Sequence, residues 1–129
     1  MGPEGDPAVL GSLPEHVHVE GFVAQDRVLP LVDAVNHHGG TGTLLAAFAQ
    51  GLPQVLVPQG ANQFQNAEVF ARTGAEVIMP PRLATGALLK SLEAVLFDAS
   101  MRTAAQAIKL EIEEMPAPRD VMPLLERLP

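Results

Sequence analysis

The sequence contains no cysteine, no tryptophan and no tyrosine, and it has 8 lysines and arginines against 15 aspartates and glutamates. The missing thiols exclude disulfide bonds, thiolate metal sites and a cysteine nucleophile. A net charge of −7 without a basic run argues against binding to a nucleic-acid backbone or to an anionic membrane. We therefore expect neither nucleic acid nor a lipid surface as a partner.

Long apolar runs are also missing, since no stretch approaches the roughly 18 residues of a membrane span. The first residues, MGPEGDPAVL, are acidic and interrupted by proline and glycine, unlike the basic and apolar parts of a signal peptide. The sequence therefore predicts a cytoplasmic protein. Its 129 residues make room for one domain, and a hydrophobic content of 47% supplies the core.

The chain divides into a short leader and a domain. Residues 1–15 are rich in proline and glycine, which predicts a flexible leader. From His16 onwards, short β-branched runs alternate with stretches of helical length, a pattern typical of a parallel sheet covered by helices. The predicted fold class is α/β, with residues 16–129 forming a Rossmann-like sheet flanked by helices.

The pattern predicts four strands, at residues 16–20, 33–36, 54–57 and 75–79. It predicts helices at residues 26–31, 43–50, 62–73, 85–97, 100–115 and 118–128. Asn62 and Gln65 have the spacing of a capping box, so Asn62 is expected to cap its helix. Because such sheets commonly have about five or six strands, we expect the first strand to be an exposed edge or a dimer contact.

The most informative segment is NHHGGTGT, residues 36–43, between the end of a strand and the start of a helix. Ligands bind at this edge of an open parallel sheet. Free amides at a helix start attract anions, glycines let the backbone approach a phosphate, and Thr41 and Thr43 add hydroxyl donors. The spacing fits neither a Walker motif nor GxGxxG. The alternative is that the glycines only relieve strain in a tight turn.

Four histidines are candidates for chemistry. His38, directly before the glycines, is positioned to donate to a diphosphate oxygen, whereas His37 can point to the opposite side. Taken alone, a histidine in such a place is more often a structural donor. His16 and His18 share one face of the predicted first strand, and a structural role is favoured for both. Because no Asp-x-Asp pair is present either, we expect no metal site.

The run GFVAQDRVLPLVDAVNHHGGTGTLLAAFAQGLPQVLVPQGANQFQNAEVFARTGA, residues 21–75, resembles the donor-binding signature of nucleotide-diphosphate-sugar glycosyltransferases. It is most similar to the bacterial enzymes that glycosylate macrolides, enediynes and related natural products. The similarity extends from Leu13 to Leu128, and the motifs GFVAQ, HHGGTGT and PQGANQ occur at the separations found in the family. The resemblance implies most of the C-terminal, donor-binding domain of a GT-B enzyme, a fold of two Rossmann-like domains in the UDP-glucuronosyl/glucosyltransferase-like superfamily.

The resemblance also implies which residues bind the nucleotide. Phe22 stands where relatives have a tryptophan that stacks on the base, and Val23 and Gln25 stand beside it as contacts to the base edge. His38 matches the family histidine that contacts the diphosphate. The turn that cradles the phosphates corresponds to Gly40, Thr41, Gly42 and Thr43.

Asn62 and Gln63 occupy the place of an Asp-Gln pair that hydrogen-bonds hydroxyls of the donor sugar in the family. An asparagine keeps an acceptor oxygen and gains donors, but it loses the charge-assisted hydrogen bond of the aspartate. Because Asn62 replaces this aspartate, we expect the preference for the donor sugar or the turnover rate to differ from that of the family.

By the same resemblance, the reaction is an inverting, metal-independent transfer of a hexose from a dTDP-sugar or a UDP-sugar to a natural-product acceptor. His38, the amides of the turn and the helix dipole would stabilise the leaving diphosphate. The catalytic base and the acceptor pocket belong to a separate N-terminal domain in the family, so we expect this chain to need that domain for transfer.

The alternative is a non-catalytic module that senses nucleotide sugars or regulates another transferase. The departures at Phe22 and Asn62 are the main points in its favour. Apolar surface left exposed on half of a Rossmann unit also predicts a homodimer or marginal stability.

Overall fold

A computed structural model of the protein describes residues 7–80 and 85–127. Its strands are Val35–His37 (β1), Gln54–Leu56 (β2) and Glu76–Ile78 (β3). Its α-helices are Gln25–Val28 (α1), Thr41–Ala49 (α2), Gln63–Phe70 (α3), Thr85–Phe97 (α4), Ala99–Glu114 (α5) and Pro118–Leu125 (α6). Short 3-10 helices occupy Pro7–Leu10 and Leu29–Leu31.

The three strands form one parallel sheet in the order β1-β2-β3. In this register Val35 lies beside Gln54, and Gln54 lies beside Glu76. Helix α2 connects β1 to β2 and α3 connects β2 to β3, as parallel neighbours require. The predicted α/β class, a parallel sheet flanked by helices, is therefore confirmed, and β1 and β2 end at the same edge of the sheet.

The predicted first strand, residues 16–20, is wrong, because this part of the described chain forms no strand. Its residues His18, Val19 and Glu20 instead line a pocket of about 770 Å³ together with Asn36 of β1. Neighbouring strands need a spacing of about 4.8 Å to share hydrogen bonds. The segment therefore borders an open pocket beside β1 instead of sharing hydrogen bonds with that strand.

The remaining strand predictions are confirmed with their ends shifted by one or two residues, and the prediction of α4 is confirmed in full. The other predicted helices form with shifted ends, and the first of them divides into α1 and a 3-10 helix. Residues 1–6, 81–84, 128 and 129 lie outside the described part of the chain, and the leader over residues 1–15 stays a prediction. Among the described residues, no helix is both long and apolar enough to cross a membrane.

Apolar side chains cover both faces of the sheet. Leu44 and Phe48 of α2 belong to one buried cluster with Leu56 of β2. Val55, the preceding residue of β2, points to the opposite face and packs in a second cluster with Val95 of α4. All five side chains are fully buried, and burial of each contributes about 1.5–3 kcal/mol. This packing fixes the starting point of α2 relative to the end of β1.

Candidate functional site

The candidate site lies where β1 and β2 end and where α2 and α3 begin. Residues 38–40 link β1 to α2, and residues 57–62 link β2 to α3. Both helices therefore start at the same edge of the sheet, which is the edge where open α/β sheets bind ligands. The structure brings the predicted phosphate and sugar residues, from His38 to Gln63, to this edge.

The turn before α2 has the properties of an anion site. Gly39 has a φ of +87°, a left-handed conformation that glycine adopts without strain. Gly40 is the N-cap of α2, and no side chain caps this helix. Since the first amides of a helix have no acceptor within the helix, they are left for a ligand, and the helix dipole adds positive potential there.

His38 lies directly against Gly40. A Cβ atom built on Gly40 would lie 2.6 Å from His38 Nε2, so only a glycine leaves the ring in this position. The His38 ring is exposed and stands at the start of α2. From this position the ring can donate a hydrogen bond to an anion that is bound by the first amides of α2.

His37 is turned inward and supports the turn from below. Its Nδ1 accepts the Gly39 amide at 3.1 Å, and its Nε2 donates to Gln54 Oε1 at 2.7 Å. Gln54 is fully buried and donates in turn to the Leu44 carbonyl oxygen at 3.3 Å. Burial lowers the pKa of His37 against the opposing effect of the Gln54 hydrogen bond, so the ring is held neutral. Sequence reasoning gave Gln54 no role, because only the fold places it under the turn.

Two asparagines of the α3 region hold the turn from the side. Asn66 Nδ2 donates to the Gly39 carbonyl oxygen at 2.8 Å and to Thr41 Oγ1 at 3.0 Å. Asn62 Nδ2 donates to Thr41 Oγ1 at 3.3 Å. Asn66 was missed by sequence reasoning, although its spacing of four residues from Asn62 places the two on one helix face.

The predicted capping box is wrong in its hydrogen bonding. Asn62 occupies the N-cap position of α3, but its side chain makes no capping hydrogen bond. Its amide donates instead across the site to Thr41. Gln63 Oε1 holds the preceding loop by accepting the amides of Gln59 at 2.7 Å and of Gly60 at 3.1 Å. Within this loop Ala61 has a φ of +51°, a left-handed conformation that is unusual for a residue with a side chain.

A pocket of about 710 Å³ adjoins the turn and is lined by predicted base-binding residues, Phe22, Val23 and Gln25, together with Thr43. The Phe22 side chain is 86% exposed, so its ring is open to a ligand. Gln25 Nε2 donates to Thr43 Oγ1 at 2.9 Å and so ties the pocket to the first turn of α2. The pocket and the turn therefore form one continuous surface.

Metal ligands do not gather at this surface. Within residues 7–80 and 85–127, no group of three or more histidine, aspartate or glutamate side chains is arranged to hold a metal ion. The groups that the turn offers are mainly hydrogen-bond donors, namely the first backbone amides of α2 and the Thr41 hydroxyl. Such a set suits an acceptor-rich ligand such as a phosphate.

The sequence matches the family described as "Erythromycin biosynthesis protein CIII-like, C-terminal domain" over residues 3–128. It is 40% identical over 114 residues to the elloramycin glycosyltransferase ElmGT of Streptomyces olivaceus and 36% identical over 127 residues to the tylactone mycaminosyltransferase of Streptomyces fradiae. These matches cover 87% and 95% of this chain and 28% of each relative.

Among solved structures, the fold is similar to that of the glycosyltransferase VinC crystallised in complex with dTDP. The TM-score is 0.86 and the sequence identity is 33%, over 93% of this chain and 31% of VinC. The chain thus spans less than a third of the length of each of these three proteins.

Proposed function

Because this chain belongs to the family of erythromycin biosynthesis protein CIII-like C-terminal domains, we propose that it binds the nucleotide sugar donor of a natural-product glycosyltransferase. Its α/β fold is that of the C-terminal domains of GT-B glycosyltransferases, and the two relatives described above are Streptomyces glycosyltransferases. The proposed donor is a dTDP-sugar or a UDP-sugar, and the dTDP bound to the similar VinC structure supports the former.

The observation that carries this proposal is the junction between Gln25 and Thr43. The 2.9 Å hydrogen bond between their side chains joins the aromatic-lined pocket to the uncapped start of α2. A nucleoside diphosphate has a base at one end and phosphates at the other. It therefore needs a pocket for the base directly beside an anion site for the phosphates. Phe22 would stack on the base, with Val23 and Gln25 at the base edge.

The proposed chemistry is an inverting and metal-independent displacement at the anomeric carbon. As the bond between that carbon and the diphosphate oxygen breaks, negative charge grows on the leaving diphosphate. His38 and the amides of the turn would stabilise this charge, in the manner of an oxyanion hole. That turn is formed by Gly40, Thr41, Gly42 and Thr43. Asn62 and Gln63 would hydrogen-bond the hydroxyls of the sugar.

The acceptor hydroxyl and the base that deprotonates it are proposed to lie in an N-terminal domain of such a transferase. The matches cover 28% of each relative, so most of each related enzyme lies outside the matched segment. In this proposal the chain supplies binding of the donor and stabilisation of the leaving group. The other domain supplies the nucleophile.

The test is calorimetric titration of the purified chain with dTDP and with UDP in the presence of a chelator. We expect at least one of the two nucleotides to bind, and His38→Ala to weaken binding about tenfold, since a hydrogen bond to a charged group contributes about 1.5–3 kcal/mol. His16→Ala, which removes an exposed histidine outside the site, should leave the affinity unchanged. A folded chain that binds neither nucleotide would refute the proposal.

A further inference from the structure

The hydroxyl oxygen of Thr41 already accepts two hydrogen bonds. One comes from Asn66 Nδ2 at 3.0 Å and the other from Asn62 Nδ2 at 3.3 Å. A threonine hydroxyl has two acceptor lone pairs and one O–H donor. The two amides therefore fill its acceptor capacity, and the O–H is the group left to bind something further.

The orientation of the Asn66 amide is fixed by its surroundings. Its NH₂ group donates both to the Gly39 carbonyl oxygen at 2.8 Å and to Thr41 Oγ1. A carbonyl oxygen can only accept, so a flipped amide would place two acceptor oxygens against each other. One hydrogen of the Asn66 amide thus bonds to Gly39 and the other to Thr41, so the amide keeps this orientation.

The O–H group of Thr41 lies where we expect a ligand with hydrogen-bond acceptors to bind. Thr41 is the first residue of α2, so its hydroxyl lies beside amides that no side chain caps. An ionised phosphate oxygen carries no proton, so it can only accept hydrogen bonds. It therefore matches a hydroxyl whose acceptor sites are filled and which can only donate. A neutral sugar hydroxyl matches it less well, because a bond to an ionised oxygen is the stronger one.

We propose that Asn66 is a positioning residue that, together with Asn62, commits the Thr41 hydroxyl to donating to the diphosphate of the nucleotide. This assignment rests on the proposed function and deepens it. No proton changes place: the hydrogen bond strengthens as the anomeric carbon–oxygen bond breaks and its electron pair moves to the diphosphate oxygen. Asn62 then serves the phosphate turn through Nδ2 and keeps Oδ1 as an acceptor for a sugar hydroxyl.

A double-mutant cycle on dTDP binding distinguishes this role from a merely structural one. Asn66→Ala and Thr41→Val should each weaken binding about tenfold, since a hydrogen bond to a charged group contributes about 1.5–3 kcal/mol. The double variant should bind about as weakly as either single variant, because Asn66 acts through the Thr41 hydroxyl. Thr41→Ser keeps the hydroxyl and should bind like the wild type.

Three controls accompany the cycle. Titration with pyrophosphate should show the same pattern, and thymidine, which has no phosphate, should show no difference between variants. Gln65→Ala changes an exposed neighbour on α3 and should have no effect. If Asn66→Ala does not fold, Asn66→Leu, which has a similar size and no hydrogen-bond donor, replaces it in the cycle.

The outcomes separate the two proposals. Suppose that the wild type binds dTDP and that His38→Ala weakens this binding. If the losses of affinity in Asn66→Ala and Thr41→Val then multiply in the double variant, or if neither variant loses affinity, the role of Asn66 is refuted and the proposed function stands. If the folded wild type binds neither dTDP nor UDP, the proposed function fails, and the role of Asn66 fails with it.

Discussion

Glu76 lies beside Gln54 in the sheet, and both of its carboxylate oxygens are buried without a hydrogen-bond partner among the described residues. Gln54 directs its own side chain to His37 and to the Leu44 carbonyl oxygen. Burial raises the pKa of Glu76 from 4.5 to about 7. The carboxyl group is therefore mostly protonated in the folded chain under mildly acidic conditions.

This relationship predicts that stability falls as the pH rises from about 4.5 to about 7. In that window the unfolded chain releases the Glu76 proton while the folded chain retains it. Glu76→Gln should remove this dependence and stabilise the chain at pH 8 by at most about 3 kcal/mol. Urea denaturation at several pH values measures the effect. Glu68→Gln, an exposed glutamate of α3, is the matched control, and an unchanged slope in Glu76→Gln would contradict the assignment.

His37 predicts the opposite dependence. Its pKa is lowered by burial, so the unfolded chain takes up a proton before the folded chain as the pH falls below 6.5, and stability is lost in that direction. His37→Asn keeps an acceptor for the Gly39 amide without titrating in this range and should flatten the loss. Because Glu76 titrates in the same window, the comparison is made in the Glu76→Gln background. Equal pH profiles with and without His37 would show that its protonation is not coupled to folding.

Gly40→Ala should weaken dTDP binding, by at most the effect of removing the imidazole. The added methyl group would lie 2.6 Å from His38 Nε2, so the ring must move away from the start of α2. The backbone itself tolerates alanine, since Gly40 has a φ of −64°. Calorimetry with dTDP tests this, with Gly86→Ala as control because a Cβ there meets nothing within 4 Å. Wild-type affinity in Gly40→Ala would contradict a need for the observed ring position of His38.

Phe22→Ala should weaken binding of dTDP about tenfold and leave pyrophosphate unaffected, because stacking on a base contributes roughly 1–3 kcal/mol. The side chain is 86% exposed, so its removal should not destabilise the chain without ligand. Phe22→Trp offers a larger face and should bind dTDP at least as well as the wild type. Phe97, 81% exposed at the end of α4, provides the control Phe97→Ala. An equal loss for dTDP and pyrophosphate in Phe22→Ala would contradict stacking.

The elements that the sequence predicts well are those defined by local spacing. The apolar positions of α4 and the glycines before α2 each lie within one short segment, and both are found where the pattern places them. The segment from His16 to Glu20 has the alternation of a strand, yet alternation reports only which side chains share a face. Pairing also requires an open strand edge within reach, which is a property of the whole fold.

The same reasoning explains what was missed at the candidate site. Asn62 bonds to a residue 21 positions away and Asn66 to one 27 positions away, so neither contact leaves a trace in local spacing. The inward direction of His37 likewise depends on Gln54, 17 positions later in the chain. The ligand-contacting roles of the predicted residues stay predictions, while their gathering at one sheet edge follows from the parallel order of the strands.

The left-handed backbone of Ala61 has a consequence for how this loop evolves. An alanine in this conformation is strained by about 1 kcal/mol or more, whereas glycine adopts it freely and asparagine adopts it more readily than alanine. A change to either residue would release that strain directly beside Asn62. Position 61 thus holds stability that a single substitution can recover, and the gain would offset a destabilising substitution at the neighbouring Asn62.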